Sequence, residues 1–452
     1  MASEKNSLQL TVTNRQILKI ALPISLAILV PQLNFITNNI FLGHYSTEAL
    51  AVASITGVYY LIFAGIGYGL NNGLQALISR RAGEGRIHEI GKLFNQGVYI
   101  AMGIAAIGIL LTYFAAPAIL KYALSSPEKY EQSISFLKIR IWGLPFLYIF
   151  QMRNALLVGT NQARYLVIGS IAETGTNIIL DYLLIFGKMG LPAFGFNGAA
   201  IASVIAEFTG MLVIYLGIRL KGISKRFSLF ATFRLDKKVM KLILSMSSPL
   251  IFQHAISIIS WEFFFILIER NQSTQYDLAV SNTMRNIFGF FGVFIWAFAA
   301  TANTMVSNVM GQQRQAEVIK LVHKIIKLSL IGSISAAILL NLFPSVLLSI
   351  YGQPQGFIDA AIPVVRVISI AMIFMTFATV WLNAVTGTGN SRITLLIEVV
   401  AIILYCIYVY FIMEKWKMPV SFGWMSEWIY WLSLFSLSFF YMRTGKWKLK
   451  VI

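Results

Sequence analysis

Charge is scarce in this sequence of 452 residues, and negative charge is scarcest. Only 12% of the residues are charged, with 18 acidic against 36 basic, while 57% are hydrophobic. Soluble domains carry about a quarter charged residues and about half apolar ones. Too little charge is therefore present for an ordinary water-exposed surface, and the surplus apolar area needs a second apolar solvent, the bilayer. One cysteine, Cys406, excludes a disulfide framework. Four histidines far apart in the chain, with no H-E-x-x-H, argue against a metal centre. No G-x-x-x-x-G-K-[ST] is present, so ATP is not expected to drive the chain directly. A TVGYG-type filter is missing too, which counts against a channel. No nucleophile, metal or cofactor constellation appears, so neither an enzyme nor a cofactor is expected. Residues 1–14 are polar and lack a short apolar core, so no removable signal peptide is expected and the first span serves as the targeting signal.

What is present is a series of long apolar runs. A spanning helix needs about 20 mostly apolar residues. Twelve such stretches are predicted, at about 15–42, 48–76, 94–118, 133–157, 164–187, 197–218, 240–268, 276–306, 322–350, 361–386, 393–413 and 425–442. They are continuously apolar and not alternating, which predicts helices and excludes a barrel. The net charge of +18 would suggest nucleic acid on a soluble chain. Here the basic residues lie between spans, for example Arg80, Arg81, Arg86 and Lys92 after span two and Lys225, Arg226, Arg234, Lys237 and Lys238 after span six. Every even-numbered loop is the basic one, so both termini are expected in the cytoplasm.

The chain also repeats itself. Gly83 in SRRAGEGRIHEIGKL and Gly311 in SNVMGQQRQAEVIKL are 228 residues apart, as are Gly159 in VGTNQAR and Gly387 in VTGTGNSR. Pro23 in ALPIS and Pro249 in SSPLI are 226 apart. The fold class expected is an all-α polytopic membrane protein of twelve transmembrane helices in two pseudo-symmetric six-helix bundles, residues 1–225 and 226–452, in the same orientation.

A charged side chain at the bilayer centre costs roughly 2.5–3.5 kcal/mol and persists where it faces a cavity or a partner. Span five reads SIAETGTNIILDYLLIFG, with Glu173, Asn177 and Asp181 at i, i+4 and i+8. That spacing sets them on one slowly drifting helical stripe. Two carboxylates and an amide supply oxygens for a proton or a hard cation such as Na⁺, or else hydrogen bonds that knit neighbouring helices. Glu207 and Glu398 read equally as interhelical hydrogen-bonders. Glu262 is the stronger candidate in the second half, for the substrate cavity or a secondary site, unless an ion pair with Arg285 explains it. The intramembrane charge is mostly acidic, with Arg285 nearly alone.

These motifs together resemble the multidrug and toxic compound extrusion (MATE) family over about residues 15–445. The resemblance is carried by Pro23 followed by FITNNIFLGHYSTEALAV, by NIILDYLLIFG followed by FGFNGAAIASVIAEF, and by the paired GTNQAR and GTGNSR. It implies a V-shaped pair of bundles that exports small organic, cationic or amphipathic compounds against H⁺ or Na⁺ entry, as a monomer in a bacterial inner membrane. Helix bending is expected at Pro23 and Pro31 when an ion binds near Asp181. The first bundle is similar to the DinF-like branch, whose coupling cluster falls on Asn177 and Asp181, with Ser203 as the nearby hydroxyl. The branch's span-one aspartate falls on Asn38, an amide that can ligate Na⁺ or hydrogen-bond Asp181. The span-seven acid of NorM-like relatives falls near Ser257 and not on Glu262, so a site of that kind is not expected. A flippase for lipid-linked saccharides is the alternative, and its usual arginine-lined cavity is missing.

Overall fold

The computed structural model describes residues 8–124, 126–231, 234–271 and 274–450. Among them every regular element is helical. The long helices are α1 Asn14–Tyr45, α2 Thr47–Glu84, α3 Ile87–Phe114, α4 Pro127–Arg140, α5 Leu144–Gly159, α6 Arg164–Phe186 and α7 Phe196–Leu220 in the first repeat. In the second they are α8 Lys237–Asn271, α9 Asp277–Gly311, α10 Val318–Leu342, α11 Gln355–Gly387, α12 Ser391–Val409 and α13 Ser426–Arg443. Helices α4 and α5 form one predicted span, joined by a single tight turn at Ile141–Gly143.

All twelve predicted stretches are helical. Ten candidate spans, among the described residues, are both long and apolar enough to cross a membrane. The two helices outside that set are α6 and α13, of 23 and 18 residues. At 1.5 Å per residue they are about 34 and 27 Å long, so length is not what they lack. Polar groups dilute them: Glu173, Thr174, Thr176, Asn177 and Asp181 in α6, Ser426 and Glu427 in α13.

The chain divides into two compact units, and the divisions fall inside helices. One unit contains Leu26–Ile251; the other contains Gln9–Ser25 and Phe252–Ile452. These units differ from the sequence halves 1–225 and 226–452. The cuts come two residues after Pro23 and two after Pro249, at equivalent points of the repeat. Thus α1 and α8 each begin in one unit and end in the other. A proline inside a helix removes one backbone hydrogen bond and clashes with the preceding turn, so it is the natural place to change partners. Both helices continue unbroken through their prolines.

Each borrowed segment is tied down by backbone hydrogen bonding. Ahead of α1, the Leu10 amide donates to Asn308 Oδ1 at 2.9 Å, and Gln312 Nε2 donates to the Leu10 carbonyl at 2.9 Å. Lys324 Nζ donates to the Val12 carbonyl at 3.0 Å. Ahead of α8, the Phe230 amide donates to Asn95 Oδ1 at 3.0 Å, and Gln96 takes both the Arg234 carbonyl and the Asp236 amide. Lys92 lies 2.5 Å from Asp236, and its hydrogen bond holds that carboxyl below the usual range. The start of α8 packs on α2 at two glycines one turn apart. A Cβ on Gly69 would lie 2.6 Å from the Ile251 backbone, and one on Gly73 would lie 2.2 Å from Ser247 Oγ. Small residues at this spacing are how helices approach closely in lipid.

A buried ion pair joins three helices of the first unit. Arg140 donates from Nη1 to Glu207 Oε2 at 2.9 Å and from Nη2 to Oε1 at 2.6 Å. Tyr60 donates its hydroxyl to the same carboxylate at 3.1 Å, and the Arg140 guanidinium stacks 3.7 Å from the Tyr60 ring centroid. Glu207 is therefore a structural anchor. The pair is made possible by Gly143, where a Cβ would lie 2.0 Å from Glu207 Oε2.

Two outcomes are expected in thermal unfolding of the detergent-solubilised protein. Gly69→Leu should cost at least the roughly 1–3 kcal/mol of ordinary overpacking, because Ile251 opposes it with backbone atoms. Glu207→Gln should cost about 3–5 kcal/mol by stranding Arg140, and adding Arg140→Met should recover much of the loss. If the double variant were as unstable as the single losses combined, the pair would not be the compensating unit described.

Candidate functional site

Helices α1 and α6 run in parallel at a constant register. Ser170 Oγ donates to the Ala27 carbonyl at 3.1 Å, and Ile185 packs in one cluster with Leu42. Both pairs are 143 residues apart. Phe41 meets Tyr182 and Phe186 with ring centroids at 6.4 and 6.2 Å, straddling the same offset. That register sets Asn38 level with Asp181 and Asn34 level with Asn177. On its other side α6 runs antiparallel to α7. A Cβ on Gly198 would lie 2.6 Å from the Leu184 carbonyl, and one on Gly210 would lie 2.8 Å from Glu173 Cβ. Between these contacts, Asn177 Nδ2 reaches Ser203 Oγ at 3.4 Å, and the buried Ala199 and Ala202 come level with Asp181.

The site is defined by oxygens without donors. Asp181 is 0% exposed, and neither of its carboxylate oxygens has a hydrogen-bond partner. Asn177 Oδ1, Asn34 Oδ1 and Thr174 Oγ1 are likewise buried and unpartnered. An unpaired buried polar group costs about 1–3 kcal/mol, more if charged. Five such oxygens on two facing helices are acceptors of the kind that could hold a proton, or a small cation with oxygen ligands.

The structure groups Asp181 and Asn177 with Ser203 and sets Asn38 at their level, half-buried. Glu173 is not one of this group. It lies eight residues, about 12 Å of helix, away and faces Gly210 of α7. Sequence reasoning missed Asn34 and Thr174, although each stands about one turn from a chosen residue, Asn38 and Asn177 respectively.

In the second unit, Glu262 and Arg285 do not form an ion pair among the described residues. Arg285 is exposed, with its guanidinium 5.1 Å from the Phe265 ring centroid. Nor is Arg285 nearly alone. Arg140 and Arg153 are both largely buried within the fourth span, the first on Glu207 and the second donating to the Met211 carbonyl. Their spacing inside an apolar run was visible in the sequence. Glu398 accepts from Gln253 at 3.1 Å, from Ser257 at 2.8 Å and from the Tyr430 hydroxyl. Ser257, the position expected to lack an acid, is thus a ligand of an acid from another helix. Among the described residues no group of three or more His, Cys, Asp or Glu side chains could hold a metal ion.

The MatE family model matches residues 23–183 and again 249–411. The two matches begin at Pro23 and Pro249, the two prolines that precede the unit boundaries. The probable multidrug resistance protein NorM of Thermotoga maritima is 22% identical over 452 aligned residues, covering 97% of this chain and 94% of that one. A solved MATE structure in complex with MaL6 superposes with a TM-score of 0.91 at 16% identity, over all of both chains. An outward-facing multidrug resistance MATE transporter of the MOP superfamily gives 0.89 at 16%, over 99% of each. Matched in both halves over most of its length, this chain belongs to the MatE family of membrane transporters.

Proposed function

We propose that the chain is a secondary active exporter of small organic compounds, cationic or amphipathic, driven by entry of H⁺ or Na⁺. One observation carries the reading: the unpartnered oxygens of Asp181, Asn177, Asn34 and Thr174 on two facing helices. Such a site binds a cation when water admits one and is costly when empty. Relatives named as multidrug resistance proteins support the substrate class. They also weigh against a flippase for lipid-linked saccharides. So does the fate of the buried arginines in the first unit: Arg140 is neutralised by Glu207 and Arg153 is spent on a carbonyl, so neither offers a free guanidinium for a phosphate.

Exchange requires that ion and substrate bind two conformations differently. Asp181 and its neighbours lie where α1 has already left its first partners at Ser25, so ion binding acts on a helix shared by both units. In this reading Pro23 and Pro31 let the upper part of α1 bend as the oxygens close on the ion. Asn38 contributes an amide oxygen and no proton, which leaves the net charge of the site to Asp181. Twelve spans and cytoplasmic termini, supported by the alternation of basic loops, complete the proposal, with a bacterial inner membrane supported by the NorM relatives and a monomeric state.

Efflux of a fluorescent organic cation from vesicles tests it, under a pH gradient and a Na⁺ gradient imposed separately. Asp181→Asn should abolish gradient-driven efflux while the protein remains folded in the membrane. Asn38→Asp, which sets a second carboxyl level with the first, should strengthen the dependence on the proton gradient. Full efflux by Asp181→Asn would make the cluster structural and defeat the proposal. The gradient that supports wild-type efflux names the ion.

A further inference from the structure

The second unit holds two buried glutamates, Glu398 on α12 and Glu427 on α13, each 1% exposed. Tyr430 lies between them. Its hydroxyl donates to Glu398, its ring is 5.9 Å from that of Tyr405 on α12, and it stands three residues along α13 from Glu427. Three residues are about 4.5 Å of rise on nearly one face of the helix, so Glu427 and Tyr430 are neighbours on α13. Among the described residues no ion pair reaches either glutamate. The titratable groups on the helices packed around them do not supply a counter-charge. His254 and Glu262 lie on α8 and are half-buried; Arg285 on α9 and Arg366 on α11 are exposed; Tyr405 and Cys406 on α12 are neutral acids.

A carboxylate without a cation in a water-free core stays charged only where hydrogen bonds solvate it, and otherwise it takes up a proton. The hydrogen bonds show which one gives way. Glu398 accepts from three donors, Gln253, Ser257 and Tyr430, and so is solvated as an anion by the protein itself. Glu427 accepts from one, the Trp431 indole at 2.9 Å to Oε2, while its Oε1 is buried with no partner. The Ser426 hydroxyl beside it and the Tyr405 hydroxyl are also buried, and neither donates to Oε1.

We infer that Glu427 Oε1 is a proton-binding site in the second unit, with Glu398 as the ionised member of the pair and Tyr430 as the group between them. The ligand is a proton rather than a metal cation. Besides Glu427 the group offers only two hydroxyl oxygens, those of Ser426 and Tyr405, fewer than a hard cation takes. The site is separate from Asp181, which lies in the other unit, and the inference does not depend on what the chain exports.

Infrared spectroscopy of the protein in lipid, without substrate or gradient, tests this through the C=O stretch of protonated carboxyl groups. At neutral pH the wild type should show a band that Glu427→Gln lacks and that both Glu398→Gln and Asp181→Asn retain. Trp431→Phe keeps the carboxyl and removes its donor, so its band should persist to higher pH than in the wild type. That variant serves alone if Glu427→Gln does not fold. Coincident wild-type and Glu427→Gln spectra would overturn the inference, as would an unchanged titration in Trp431→Phe, or a band that responds to Na⁺ and not to pH.

Discussion

Hydrocarbon offers no hydrogen bonds, and that constraint orders everything inside this protein. Backbone groups are satisfied by helix formation throughout. Side chains must be satisfied one by one, and the buried carboxylates do this to very different degrees. Glu207 has a bidentate arginine and a tyrosine. Glu398 has an amide and two hydroxyls. Asp181 has nothing. A group with a complete set of partners holds helices together. A group without one holds no helices together, and in the proposed mechanism its oxygens are the ones left to take an ion. The same reasoning explains why α6 and α13, the two long helices outside the candidate spans, are those that carry the incompletely bonded acids.

The internal repeat gives this chemistry its frame. Both family matches start at a proline, and two residues beyond each proline the helix passes from one unit to the other. The leading segments are fixed by side chains of α3 in one unit and of α9 and α10 in the other, with Gln96 and Lys324 at equivalent places in the repeat. The repeats are alike in fold and unlike in content. The first carries an acid level with amides, the second one acid bonded to a tyrosine and another bonded to a tryptophan.

Much of this was legible in the sequence. The helices, the repeat and the pairing of Asn177 with Asp181 follow from hydropathy and spacing, because they depend on position along one helix. Which residue meets which across helices does not. The i, i+4, i+8 spacing put Glu173 with Asp181, but a straight helix drifts, and Glu173 turns to α7 at Gly210. Glu207 stood unresolved in the sequence because its partner, Arg140, is 67 residues away. Glu427 escaped notice at the start of the last helix, where an acid reads as a helix cap in water. The exchange of helix halves leaves no trace in hydropathy at all, since apolar residues serve either unit equally.

The division of α1 between units bears on how the chain is made. Residues 9–25 emerge from the ribosome first, yet the side chains that fix them, Asn308, Gln312 and Lys324, come about 300 residues later. At roughly 5–20 residues per second that is a wait of about 15–60 s. During it the first turns of α1 are a membrane helix without their partners. The first unit can close once α8 has emerged as far as Ile251, whereas the second takes in residues 9–25 only after its own helices are made.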